Sequence, residues 1–360
     1  MDLIGQENGY TMKTGGLKIS PEVLRLIGEI DEFKGSWRTL TTLAPERLAV
    51  LKRVATIESI GSSTRIEGSK LTDTQVEELL GRLEQKSFIS RDEQEIAGYA
   101  EVMDAIFDSD ADIPLTENYI KQLHAMLLRH STKDERHRGE YKKLPNNVEA
   151  FDAYGKSVGV IFQTASPFDT PFKMQELVAW TREALADRAW HPLIVVGLFI
   201  VVFLEIHPFQ DGNGRLSRVL TTLLLLQAGY SYVPYSSLEC VVEANKEGYY
   251  LGLRRTQGTL AHDDPDFEPW LLFFLRSLKK QKDGLSEKIA REPGAEGLHP
   301  DAIKILEEAR RLGRITTGQA EKLTGAPRPT VKTRLSELVK RGLLRREGQG
   351  RGAWYGPPTR

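Results

Sequence analysis

The sequence predicts a mainly α-helical protein with one β-hairpin set into the helical body and a small basic winged helix-turn-helix module at the C-terminal end. Three observations predict it. Apolar residues recur at helical spacing through most of the chain up to residue 290. One stretch, Arg138 to Phe162, abandons that spacing for apolar residues interleaved with turn formers. Finally, Leu298 to Arg360 holds 14 Lys or Arg against 6 Asp or Glu, in a chain whose net charge is only −1.

The first helical set lies between Ser20 and Leu83, with apolar positions at Leu24, Leu26, Ile27 and Ile30, and again at Leu48, Leu51, Val54, Ile57 and Ile60. A second set follows at Asp92 to Phe107, Thr116 to His130 with Thr116 as N-cap, Phe172 to Asp187, and Pro192 to Ile206. In the irregular stretch, Tyr141, Val148, Phe151, Val158, Val160 and Phe162 alternate with Pro145, Asn146, Asn147 and Gly155, which reads as a hairpin or flap. Further helices are expected at about Arg215 to Ala228, Glu239 to Gln257 and Pro269 to Ile289. The linker Arg291 to Gly297 then separates the basic module. The chain therefore divides into an N-terminal helical segment (1–90), a core with its following helices (91–290) and the C-terminal module (298–360).

A chain of 360 residues with 40% hydrophobic and 28% charged residues can bury a full core and form more than one domain. A lone cysteine, Cys240, excludes an intrachain disulfide and a multi-cysteine zinc site, as in proteins of a reducing compartment. The N-terminal MDLIGQENGYTMKTGG has no signal-peptide apolar run. Leu193 to Ile206, which contains Gly197 and Glu205, falls short of the roughly 20 apolar residues a bilayer requires. A cytoplasmic protein without membrane contact is expected.

The strongest chemical signal is HPFQDGNGRLSR, His207 to Arg218. Pro208 disfavours helical geometry for the residue before it, so His207 is expected in the last turn of the apolar helix with its ring exposed. Its ordinary pKa suits it to take a proton from a hydroxyl near neutral pH. Gly212 and Gly214 flank Asn213 and let backbone N–H groups converge at the positive end of the next helix, which is how proteins cradle phosphates. Arg215 and Arg218, one turn apart, are placed to clamp a polyphosphate. Asp211 is a hard oxygen ligand suited to Mg2+ held jointly with phosphates. Phe209 reads as a packing anchor.

This string matches every defined position of the signature HPFx[D/E]GNGRxxR, and the chain here resembles the Fic family. The likeness runs over roughly Asp92 to Ala228 and takes in RGEY at Arg138 to Tyr141 and WHPL at Trp190 to Leu193. It implies a Fic-type helical core and a protein adenylyltransferase moving AMP from ATP, with Mg2+, to a Ser, Thr or Tyr hydroxyl of a protein target, with pyrophosphate leaving. The protein itself is a candidate target, and a homodimer is a candidate assembly. His207 would be the base, Asp211 the metal ligand, and Gly212, Asn213 and Gly214 the α- and β-phosphate cradle. Arg215 would support the β-phosphate and Arg218 the γ-phosphate, with Leu216 and Ser217 in the same nucleotide-binding stretch. Tyr249, Tyr250 and Gln257 resemble the family's adenine and ribose pocket. Val158, Gly159, Val160, Ile161 and Phe162 would present a strand edge to the target.

Upstream, Ser63, Glu67 and Gly68 fit [S/T]xxxE[G/N], which resembles the inhibitory helix N-terminal to many Fic cores. A serine start and a glycine stop describe any short helix as well. An ion pair from Glu67 to Arg218 would take away the γ-phosphate's partner and misplace ATP. The same glutamate orienting a water would serve the reverse, de-AMPylating reaction.

The basic module reads as helices at Asp301 to Leu312, Thr317 to Thr324 and Pro329 to Arg341, then two short strands around a glycine-rich wing. Thr330, Lys332, Thr333 and Arg334 on the candidate recognition helix, Arg328 just before it and Arg351 in the wing are the candidate DNA contacts. A protein-docking module has the same fold, and a DNA-binding regulator with a nucleotide-sensing body is the competing reading of the whole chain.

Overall fold

A computed structural model describes residues 17–39, 45–83, 88, 90–151, 157–290, 298–348 and 350–358. The linker 291–297 and the hairpin tip with Gly155 lie outside these residues.

The centre of the molecule is a helix with no polar face. Pro192–Ile206 (α7) buries every residue except Pro192, Val202 and Glu205, because a helix that is apolar all round has to be packed all round. Thr170–Asp187 (α6), Asn213–Gln227 (α8), Lys246–Gln257 (α10) and Glu268–Ala290 (α11) surround it. Helix α11 crosses at Gly197: a Cβ there would lie 2.8 Å from Leu271 Cδ2, and Trp270 Nε1 donates to the Gly197 carbonyl at 2.7 Å. His191 caps α7 through Nδ1, which accepts from Leu193 N–H, while its Nε2 meets Asp31 at 2.9 Å on Pro21–Thr39 (α1). That contact accounts for the histidine of WHPL.

Three helices build the wall opposite α8: Pro45–Ile66 (α2), Asp73–Leu80 (α3) and Arg91–Ser109 (α4). Capping boxes start two of them, Thr72 with Gln75 for α3 and Ser90 with Glu93 for α4. Helix α4 meets Glu117–Leu127 (α5) backbone to backbone, since a Cβ at Gly98 would run into the Leu127 carbonyl. Val148–Phe151 (β1) and Ser157–Phe162 (β2) form an antiparallel hairpin. Tyr141, expected within the hairpin region, instead makes an isolated bridge with Phe209.

Two expectations need correction. Ser63 does not start a helix but lies well inside the 22-residue α2, whose end is marked by the left-handed Gly68 (φ 106°). The single helix expected over Glu239 to Gln257 is two, Leu238–Glu243 (α9) and α10. Asn245 breaks it at φ −133°, with its amide folded over Gly248, where a Cβ would approach within 2.7 Å.

Leu298 to Tyr355 has its own core, including Ile305, Val331, Leu335 and Tyr355. Pro300–Arg311 (α12), Thr317–Thr324 (α13) and Arg328–Lys340 (α14) pack beside a sheet of Ile315–Thr316 (β3), Arg345–Glu347 (β4) and Trp354–Gly356 (β5), ordered β3-β5-β4 and antiparallel throughout. Strand β3 escaped the sequence reading because it is two residues long. This unit rests on α2 through Val50, and Glu77 of α3 takes both Arg311 from α12 and Arg53 from α2. No helix among the described residues is long and apolar enough to cross a membrane.

Candidate active site

The helix α7 ends at His207, which has φ 52° and ψ 60°, and Arg188 is the other described non-glycine residue with positive φ. Such a conformation costs on the order of 1 kcal/mol or more, and residues held in it concentrate at functional sites. The left-handed turn folds the ring back over the helix end, so it is half-buried rather than exposed as expected. Its Nδ1 lies 3.3 Å from the Leu204 carbonyl, which makes Nδ1 the protonated nitrogen and leaves the Nε2 lone pair free. Burial is the largest influence on this imidazole and presses its pKa down to about 4, so the ring is neutral at pH 7.

The next turn is stapled from several sides. Asn213 Oδ1 accepts from Phe209 N–H at 2.9 Å and its Nδ2 donates to the Phe209 carbonyl at 2.6 Å. The Asn213 side chain is thus committed to the loop, and only its backbone remains for an anion. His124 stacks on Phe209 with ring centroids 3.8 Å apart, accepts from Gly139 N–H at Nδ1 and donates from Nε2 to the Asp211 carbonyl at 3.0 Å. Gly212 caps α8 at φ 79°, so the first N–H groups of α8 have no partner within their own helix.

Around this turn the charges are paired. Asp211 faces Arg215 at 3.3 Å, Arg91 at 3.3 Å and Lys133 at 3.7 Å, and accepts from Gly212 N–H at 2.6 Å. Burial works to raise its carboxyl, but Arg215, the Gly212 N–H, Arg91 and Lys133 together hold it below the usual range. No group of three or more His, Cys, Asp or Glu is placed to hold a metal among the described residues. Asp211 is a single carboxylate already shared among three cations, so a divalent ion there would have to take most of its ligands from phosphate oxygens and water.

Arg215 and Arg218 have different partners. Arg215 is 2% exposed and bound between Glu95 (3.1 Å) and Asp211. Arg218 turns the other way, donating from Nε to Ser63 Oγ at 2.8 Å and from Nη2 to the Ser63 carbonyl at 3.0 Å and Glu67 Oε1 at 2.7 Å. Burial opposes both charges of the Glu67–Arg218 pair, yet their attraction prevails, lowering the Glu67 carboxyl and raising the Arg218 guanidinium. The Glu67 carboxylate also lies directly on the first turn of α8: a Cβ at Gly214 would run into its Oε1. Glu67 therefore covers Arg218 and the anion-attracting end of the helix together.

A cavity of about 710 Å3, within the range of small-molecule sites, gathers His207, Asp211 to Arg215, Glu67, Gly68, Tyr249, Tyr250 and Gln257 on its walls. Leu216, Ser217, Arg218 and Ser63 are not on its lining. Leu216 points into the core, and Ser217 Oγ bonds the Gly214 carbonyl at 2.7 Å. Tyr249 is packed edge-on to Trp270 and Phe273, while Tyr250 is 37% exposed. Val158 to Phe162 contribute the β2 backbone; their side chains lie outside the described residues.

Residues 114–225 match the model of the Fic/DOC family. The chain carries a Fic domain. It is 29% identical over 234 residues to the protein adenylyltransferase Fic of Drosophila sechellia, covering 64% of this chain and 42% of that protein. The relative of the same name in Drosophila mojavensis is 27% identical over 261 residues, 72% of this chain and 47% of the relative. The chain thus spans less than half the length of these curated relatives. A Fic family protein from Desulfovibrio desulfuricans G20 superposes with a TM-score of 0.62 at 22% identity, over 96% of this chain and 98% of the other, a likeness of fold. A Fic domain containing signaling protein from Bacteroides thetaiotaomicron VPI-5482 gives 0.59 at 25% identity, over 75% and 97%.

The sequence reading missed several residues of this site: His124, Glu95 and Arg91, which orient the turn and its arginine, and Asn146 and Asn147, which line the cavity. Nothing local marks them. The lone signal was RGEY, whose Gly139 (φ 77°) delivers its N–H to His124.

In the C-terminal unit Lys332 is exposed, Thr330 half-buried, and Thr333 exposed with its hydroxyl on the Pro329 carbonyl. Arg328 pairs with Glu321 at 2.9 Å and Arg334 with Glu337 at 3.7 Å. The Arg351 side chain lies outside the described residues.

Proposed function

We propose that this protein transfers AMP from ATP to a side-chain hydroxyl of a protein target, itself included, and releases pyrophosphate. The observation that carries this reading is one cavity into which His207, the first turn of α8 and Arg215 all converge. His207 Nε2 takes the proton as the hydroxyl oxygen attacks the α-phosphorus, and the bond to the β-phosphate oxygen breaks on the opposite side. The α8 N–H groups and Arg215 receive the charge on the phosphates. Asp211 would hold Mg2+ with the phosphate oxygens; when bound, that ion neutralises charge on them. Tyr249, Tyr250 and Gln257 would receive the nucleoside, Arg218 the γ-phosphate, and the β2 edge the target segment. Glu67 is the brake. Relatives named protein adenylyltransferase support the donor and the reaction. The test is label transfer by the full chain: label from α-labelled ATP is expected on protein and label from γ-labelled ATP is not. Label from the γ-position would replace this chemistry with phosphoryl transfer.

For the C-terminal unit we infer a winged helix-turn-helix that binds duplex DNA through α14, supported by its net positive charge and the exposed Lys332. Duplex binding is expected to weaken steeply between about 50 and 200 mM salt as phosphate counterions are released. Absence of binding at low salt would assign the unit to protein docking instead.

A further inference from the structure

Lys142 is 3% exposed, an unusual place for a lysine, which is almost never buried unless paired. Burial presses its pKa down to about 8, and Glu205, the one acid among its influences, is itself engaged by Lys173 at 3.8 Å. What holds Lys142 is a set of neutral acceptors: Asn146 Oδ1 at 2.8 Å, Thr164 Oγ1 at 2.9 Å and the Ile206 carbonyl at 2.9 Å.

These acceptors belong to two pieces of the site. Asn146 leads into β1 and Thr164 leaves β2, so they are the two feet of the hairpin. Ile206 is the last residue of α7, directly before His207. The link is doubled on each side. The Lys142 N–H donates to the Pro208 carbonyl at 2.8 Å, and Asn146 Nδ2 donates to the carbonyls of His207 (3.2 Å) and Phe209 (2.6 Å). Thr164 Oγ1 donates to Asn146 Oδ1 at 3.0 Å, and Thr164 N–H to Asn147 Oδ1 at 3.2 Å. Four consecutive carbonyls, Ile206 to Phe209, are thereby tied to the hairpin's feet, and the residue they enclose is the one in the left-handed conformation.

We propose that Lys142 is a positioning residue: one buried ammonium fastens both feet of the hairpin to the turn carrying His207, so that the target-docking strand and the base are held in one register. This rests on the adenylyl-transfer reading above. A neutral side chain of similar length would be cheaper to bury, and methionine would fill the space; only a donor of three hydrogen bonds joins the two elements. In-line transfer is sensitive to misplacement on the ångström scale, so loss of the tie acts on the rate and spares nucleotide binding, whose contacts lie on α8 and α10.

The experiment uses the full chain with Glu67→Gly as parent and adds Lys142→Met, Lys142→Arg or Thr164→Val. Lys142→Met is expected to lower kcat for self-transfer by roughly tenfold or more while ATP affinity by calorimetry stays within about twofold. Lys142→Arg, which keeps charge and donors, recovers part of the rate, and Thr164→Val, which cuts only the hairpin side, loses less. Amide exchange gives a readout independent of activity: in Lys142→Met the hairpin and residues 206–209 are expected to lose protection together. An inactive parent defeats the adenylyl-transfer reading and leaves the exchange result to judge the tie. A folded Lys142→Met with the parental kcat, a parallel fall of kcat and ATP affinity, or exchange rising in only one element overturns the proposal. Should Lys142→Met fail to fold, the ordering of the other two variants decides it.

Discussion

His207→Ala is expected to bind ATP as the parent does and to lose self-transfer by about 10²- to 10⁴-fold, the range that a positioned general base contributes. The physical reason is local. With Nδ1 on the Leu204 carbonyl, Nε2 is left as the acceptor of a ring that lines the cavity, and an alanine offers none. The pH profile carries the same signature. Burial holds this imidazole at about 4, below the ordinary histidine value, so the neutral form is present above that pH and is lost as pH falls through it. The acid limb of kcat/KM, which reports the free enzyme, is therefore expected near pH 4 and not near 6.5. Initial rates from pH 4.5 to 8 decide it. A limb at 6.5 together with an active His207→Ala would remove the histidine from the chemistry.

Glu67→Gly is expected to raise self-transfer by roughly 10- to 100-fold, taking a charge-assisted hydrogen bond of about 1.5–3 kcal/mol as the contact a nucleotide must displace. Two effects add. Arg218 loses its carboxylate partner, and the first turn of α8 loses the group that lies against Gly214. Glu67→Gln, which keeps the shape and drops the charge, is expected in between, and Arg218→Ala in the Glu67→Gly background should cancel most of the gain. Since attraction lowers the Glu67 carboxyl and raises the Arg218 guanidinium, both stay charged through the neutral range, and the pair weakens only as pH falls below the usual carboxylate range. Mild acidification should not mimic the mutation. Equal rates for the unaltered chain and the Glu67→Gly variant would strip this contact of any inhibitory role.

The glutamate's place above α8 also shows where sequence reasoning stops. Ser63, Glu67 and Gly68 also fit a short helix with its own start, whereas they lie at the end of a long helix held by partners remote in sequence. Arg65, two residues before Glu67, is gripped by Glu243 at 2.7 Å and Asp73 at 2.9 Å, and Lys246 caps the Ile66 carbonyl at 2.6 Å. These partners come from α3, α9 and α10, and no spacing rule connects them. The partners of the arginines are set in the same way: helical spacing places Arg215 and Arg218 one turn apart, but Glu95 holds the first and Ser63 with Glu67 the second.

The sequence by itself determined what depends on neighbours along the chain. The apolar run closed by proline at both ends makes α7 with the bounds Pro192 and Ile206, and the glycines make a turn that ends in a helix start. Tertiary structure alone decided the handedness of His207, the tautomer of its ring, the burial of Lys142 and the choice of partner for each arginine. Helix ends and turns follow from short-range sterics and hydrogen bonds a few residues apart. Ion pairs and buried donors are settled between segments as far apart as the 64 residues from Lys142 to Ile206 and the 155 from Ser63 to Arg218, where packing chooses among many residues of suitable charge.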